Sequence, residues 1–125
     1  MMEAYNMSTT QTIERTTLTH LIYNEDYCRK VIPFIKPIYY ADRQERVVFE
    51  EIEKFLDKYN TLPTKETLTI GVDNRKDIND EDYKKVVEII STLDKTEVDL
   101  QWLHDETEKF CKDKAIYNAV LDGIS

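Results

Sequence analysis

Apolar residues recur three and four positions apart over most of this sequence, which is the period of an α-helix that buries one face. The clearest example lies between Arg43 and Tyr59, after Asp42, whose carboxylate can cap the first free backbone amides. The buried face is predicted to carry Val48, Phe49, Ile52, Phe55, Leu56 and Tyr59. The intervening positions are predicted to face water, and they are Glu50, Glu51, Glu53, Lys54, Asp57 and Lys58.

Weaker helical patterns flank this segment. One covers residues 11–22, and a second follows the N-cap Asn24 and ends near Pro33, because proline lacks a backbone donor. Between Pro33 and Asp42, an apolar connector interrupted by Pro37 is predicted to pack inward as a wedge. Its apolar residues are Phe34, Ile35, Ile38, Tyr39 and Tyr40.

The segment after Thr64 is ambiguous. Thr64 can cap a helix, whereas Leu68, Ile70 and Val72 alternate with the period of two that is typical of a strand. A single strand in an otherwise helical chain would have no partner for its backbone hydrogen bonds. We therefore predict a short helix from Lys65 to near Gly71. Asn79 or Asp80 then caps a helix carried by Tyr83, Val86, Val87, Ile90 and Leu93.

The last helical segment, which begins at Asp99, changes character along its length. Leu103, Phe110, Tyr117 and Ile124 recur every seven residues and share one face. Beyond Lys114 the polar face nearly disappears, since six of the next residues are apolar: Ile116, Tyr117, Ala119, Val120, Leu121 and Ile124. Burying one large apolar side chain contributes roughly 1.5–3 kcal/mol. This end of the helix is therefore predicted to be covered by a partner surface.

The candidate interface residues all lie on this helix, and they are Trp102, Phe110, Tyr117, Val120, Leu121 and Ile124. At helical spacing, Trp102 and Phe110 are more often core residues, so for these two we favour packing within their own globule. Tyr117, Val120, Leu121 and Ile124 are the better interface candidates.

Composition favours an all-α domain. The 125 residues include only two glycines and three prolines, too few for the turns of a sandwich or barrel. We predict a flexible polar start over residues 1–10 and a helical globule of about five short helices over 11–98. A long helix follows over 99–125.

Charge and hydropathy exclude several classes of partner. The net charge is −8, and the basic residues are interleaved with acids, so direct binding of nucleic acid is not expected. No signal peptide and no apolar run of membrane-spanning length is present. Cys28 and Cys111 lie in apolar patterns typical of buried thiols in a reducing compartment, so a cytoplasmic location is expected.

No motif for catalysis, metal or nucleotide binding stands out. His104 and Cys111 lie about 10.5 Å apart along one helix, too far to ligate one zinc ion. A calcium loop beginning at Asp77 would need glycine where Asp82 stands. A phosphate-binding loop needs several glycines around GK[ST], and only Gly71 and Gly123 are available. We expect no catalytic, cofactor-binding or metal-binding residues, and no enzyme activity in this chain alone.

Between about Thr19 and Ala119 the chain resembles the N-terminal domain of DnaB-like replicative DNA helicases, most of all those of T-even-type phages. The matching segments, taken in order, are His20-Leu21-Ile22-Tyr23, Lys30-Val31-Ile32-Pro33, Tyr39-Tyr40, Phe49 with the helix ending at Tyr59, and Leu62-Pro63. The sharpest are Trp102-Leu103, Glu106-Thr107-Glu108-Lys109-Phe110 and Ala115-Ile116-Tyr117-Asn118-Ala119.

The resemblance implies an oligomerisation and docking domain in DNA replication. In that family a helical globule is followed by a helical hairpin, and hairpins of neighbouring subunits pair to build a collar on a hexameric ring. Primase and the helicase loader act there, in the primosome. The helix from Asp99 would be the first, incomplete arm of the hairpin. ATP and magnesium would belong to a motor domain that this sequence, which ends at Ser125, does not include.

The alternative is a stand-alone small helical adaptor, a loader-like regulator of a replication protein. A downstream coding sequence for a GK[ST] loop would favour the helicase domain, whereas a stop codon would favour the adaptor. The pattern of the last helix predicts a partner surface in either case.

Overall fold

The structure, a computed structural model, describes residues 12–124, so the predicted flexible start over residues 1–10 lies outside the described part. Six α-helices are present there: α1 (Ile13–Tyr23), α2 (Glu25–Val31), α3 (Arg43–Tyr59), α4 (Lys65–Asp73), α5 (Asp80–Ser91) and α6 (Leu100–Ile124). Two 3₁₀ turns, Ile32–Phe34 and Pro37–Tyr39, join α2 to α3. The predicted all-α architecture, five short helices followed by a long one, is confirmed.

Side-chain caps fix where most of the helices begin. An oxygen at each N-cap accepts a hydrogen bond from a backbone amide of the first turn, which would otherwise lack a partner. The capping residues of α1 to α5 are Thr12, Asn24, Asp42, Thr64 and Asn79. Asp99 accepts in the same way from the amide of Trp102, at 2.9 Å, ahead of α6. The predicted starts after Asn24, Asp42, Thr64 and Asp99 are therefore confirmed, and Asn79 is the cap of α5.

The central helix α3 supplies the middle of the core. Val48, Phe49 and Ile52 are fully buried, as their spacing predicts. Asn60, with φ 56° and ψ 34°, ends the helix in the left-handed conformation that asparagine tolerates. The prediction was wrong for Tyr59, which is 56% exposed, and for Glu51, which is buried with its carboxylate 3.1 Å from Arg75 and from Lys54.

The ambiguous segment after Thr64 is helical and ends at Asp73, two residues beyond the predicted end. Leu68 and Val72, one turn apart, are buried, while Ile70 is 61% exposed. A strand would have placed all three side chains on one face, whereas the helix places Ile70 outside. The helical interpretation is therefore confirmed.

The connector packs inward only in part. Ile35, Tyr39 and Tyr40 are buried, as predicted for the wedge, but Phe34 and Ile38 are 70% and 60% exposed. Each exposed residue lies within a 3₁₀ turn, where consecutive side chains point in different directions. The prediction was therefore wrong for Phe34 and Ile38.

Candidate interaction surface on the long helix

The first half of α6 closes the globule over α1, α2 and the second 3₁₀ turn. Leu103, Thr107 and Phe110 are buried. The Phe110 ring lies edge-on to Tyr39 at 6.4 Å and tilted against Tyr40 at 5.5 Å between centroids. Phe110 is thus a core residue, as its spacing favoured, and it offers no area to a partner.

The second half of α6 is exposed on the side that carries its apolar residues. Ile116, Tyr117, Val120 and Leu121, here called the distal stripe, are 64%, 58%, 56% and 46% exposed. Lys114 Nζ lies 5.9 Å from the centroid of the Tyr117 ring. At about 100° per residue these four side chains span less than half of the helix circumference, so they form one continuous surface.

The distal stripe does not simply prolong the buried face. Tyr117 and Leu121 lie on the same side of the helix as Phe110, whereas Ile116 and Val120 lie on the adjacent side. Val120 follows Trp102 by five helical turns, so these two side chains share one side, about 27 Å apart. Trp102 is 47% exposed, so our preference for a core position was wrong there.

The sequence candidates therefore divide by location. Trp102, Tyr117, Val120 and Leu121 lie at the surface, whereas Phe110 is buried. The side chain of Ile124 lies outside the described residues. The candidate list omitted Ile116, although its spacing of four from Val120 placed it beside the other members of the stripe.

Cys28 is buried and Cys111 is partly buried. Burial raises the pKa of the Cys28 thiol to about 11 and raises that of Cys111, so both stay protonated at neutral pH. Within residues 12–124, no three side chains among histidine, cysteine, aspartate and glutamate are placed to hold a metal ion. In the same part of the chain, no helix combines the length and apolar character that crossing a bilayer requires.

Comparison with known proteins agrees with the resemblance inferred from the sequence. No protein-family model matches the chain. The chain is similar to a DnaB-like replicative helicase of Enterobacteria phage T4, with 29% identity over 102 residues, or 82% of this chain. The chain spans about a fifth of that protein, 21% of its length. This extent is consistent with a single N-terminal domain, and the resemblance is confirmed.

Proposed function

We propose that this chain is the N-terminal oligomerisation and partner-docking domain of a phage-type replicative DNA helicase. The distal stripe carries the proposal, because four large apolar side chains remain about half exposed at the end of a helix whose first half is packed along one side. By analogy with the similar DnaB-like replicative helicase, we also propose that the chain acts in DNA replication, in the cytoplasm of a host cell.

Covering the distal stripe would be favourable. Full burial of a large apolar side chain contributes roughly 1.5–3 kcal/mol, so half-exposed side chains leave about half of that unrealised. Four of them together leave roughly 3–6 kcal/mol as an upper estimate. The whole stability of a small domain is only about 5–15 kcal/mol. A contiguous apolar surface of this kind is typical of an interaction site.

The proposed occupant is the same helix of a second copy. Two antiparallel copies would bring one distal stripe against the other, so that each patch buries its own counterpart in a closed contact. Further parts of the proposal come from the resemblance alone. They are a hexameric ring, a motor domain that binds ATP and magnesium elsewhere in the helicase, and docking of primase and loader on the collar.

Sedimentation velocity tests the self-association. Over a range of about 5 to about 500 µM, which covers weak contacts, the chain is expected to shift from monomer to a larger species. Leu121→Asp would place a charge in the contact and should keep the chain monomeric. Ile70→Asp is the matched control, because Ile70 is similarly exposed but lies on α4. A monomer at every concentration, unchanged by Leu121→Asp, contradicts the proposal.

A further inference from the structure

A second apolar surface lies on a different side of α6 from the distal stripe. It is a groove of about 510 Å³ between α6, the end of α2 and the 3₁₀ turns. Val31, Tyr39 and Cys111 line it, and Phe34 stands at its edge with 70% of its surface exposed.

Local geometry holds Phe34 at the surface. The 3₁₀ turn Ile32–Phe34 closes with the amide of Ile35 donating to the Ile32 carbonyl at 3.4 Å. Ile35 then adopts an extended conformation, φ −97° and ψ 134°, and its own side chain is buried. Because Ile35 fills the core position, Phe34 points outward. Pro33 fixes its own φ within the same turn, which limits the backbone conformations from which Phe34 can project.

The polar residues around the groove are more basic than the protein as a whole. Lys30 and Lys112 line it against one acid, Glu108, which pairs with Lys112 at 3.3 Å between Nζ and Oε2. His104 is the remaining ionisable side chain of the lining apart from Tyr39 and Cys111. The groove therefore has an excess of positive charge on a chain whose net charge is −8. The excess is one positive charge, since Lys30 and Lys112 face the single acid Glu108, and it favours a partner segment with negative charge.

We propose that this groove binds an acidic segment of a partner protein, which places an apolar side chain against Phe34 and its carboxylates near Lys30 and Lys112. Nucleic acid fits less well, because Glu108 lies in the groove and the remaining surface repels phosphate. This inference rests on the proposed function for the kind of partner, a replication protein. The groove and the distal stripe share no residue, so the two can fail separately.

Fluorescence anisotropy with a labelled synthetic peptide tests the inference on the full chain. The probe has about 15 residues, long enough to form a helix, with leucines at three and four spacing and glutamates between them. A second peptide carries glutamine in place of each glutamate. The acidic peptide is expected to bind at least about tenfold more tightly than the glutamine peptide. Its affinity should fall when sodium chloride rises from about 0.05 to about 0.3 M, because added salt screens charge.

Variants of the chain test whether the acidic peptide binds in the groove. Phe34→Ala should weaken binding of the acidic peptide by about tenfold or more, as aromatic anchors commonly do. Lys30→Glu combined with Lys112→Glu should weaken it similarly. Ile70→Ala, which removes an equally exposed apolar side chain elsewhere, should leave it unchanged. Circular dichroism should show that all variants remain folded, because the substituted residues are exposed.

Four outcomes of the peptide experiments would overturn the inference. In the first two, the acidic peptide does not bind the parent chain, or both peptides bind equally tightly. In the third, Phe34→Ala leaves the affinity for the acidic peptide unchanged. In the fourth, a single-stranded oligonucleotide displaces the peptide, and binding of the oligonucleotide itself requires Phe34. If Phe34→Ala instead abolished self-association in sedimentation, the occupant would be a second copy, which also contradicts an acidic partner. Self-association that persists in Phe34→Ala while peptide binding is lost supports the groove and leaves the distal stripe intact.

Discussion

The hydroxyls of Tyr27 and Thr107, 80 residues apart in sequence, lie 2.7 Å from each other in the core between α2 and α6. Thr107 also donates to the Leu103 carbonyl at 2.7 Å, so the Tyr27 hydroxyl is the donor to Thr107 Oγ1. This hydrogen bond joins the buried half of α6 to α2 in the globule.

Removing the acceptor, Thr107, should lower the free energy of unfolding more than removing the donor, the Tyr27 hydroxyl. Thr107→Val leaves the Tyr27 hydroxyl buried without a partner, at about 1–3 kcal/mol, whereas Tyr27→Phe loses about 0.5–1.5 kcal/mol. The double variant should cost less than the sum of the two single variants. Urea unfolding followed by circular dichroism measures all three. A Thr107→Val variant as stable as the parent chain would show that the hydrogen bond does not hold α6.

Two aromatic residues seven positions apart on α6 should behave in opposite ways. Phe110→Ala removes a core ring and should lower the free energy of unfolding by about 3–5 kcal/mol. Tyr117→Ala should change the stability of the monomer by less than about 1 kcal/mol, because its ring is 58% exposed, but it should weaken self-association. Thermal unfolding at low concentration and sedimentation at high concentration separate the two effects. Equal losses of monomer stability would contradict this division of the helix.

Stability should fall in mild acid because of His20. Burial lowers its pKa below 6.5, against the opposing charge of Glu97. The unfolded chain therefore takes up a proton below pH 6.5 that the folded chain resists. The contribution of neutral His20 to the free energy of unfolding is therefore complete above pH 6.5. It decreases as the pH falls from 6.5 toward the lower pKa that His20 has in the folded chain. Unfolding free energies at about pH 7.5 and about pH 5.5 should show this loss. If His20→Gln has the same pH dependence as the parent chain, His20 is not the cause.

Arg75 should control the titration of Asp77. Its Nη2 lies 2.7 Å from Asp77 Oδ2, and the guanidinium lowers the pKa of that carboxyl to about 2. In Arg75→Gln the pKa of Asp77 should return toward about 3.9, the value of an unperturbed aspartate. Carbon-detected NMR titration of the side-chain carboxyl measures it. The same variant should lose stability, because among residues 12–124 the buried Glu51 then retains only Lys54 as an ionic partner. An unchanged Asp77 pKa would disprove the pairing in solution.

Helix positions could be read from the sequence because they depend on local interactions. Asp42, Thr64 and Asn79 cap helices through amides two or three residues away. The helix over 65–73 could be chosen over a strand because a lone strand lacks a pairing partner. The apolar character of 116–121 is equally visible in the sequence, so helical periodicity predicts most of the distal stripe.

What the sequence by itself determined is the set of helices, their caps and the over-apolar end of α6, since these follow from helical periodicity and hydrogen bonds within a few residues. Only the tertiary structure decided which side of each element is covered. Phe34 and Trp102 are exposed while Glu51 is buried, because neighbouring helices and the ion pairs of Arg75 cover some positions and not others. Burial depends on residues distant in sequence. When two sides of a helix are both apolar, helical periodicity does not predict which of them is buried.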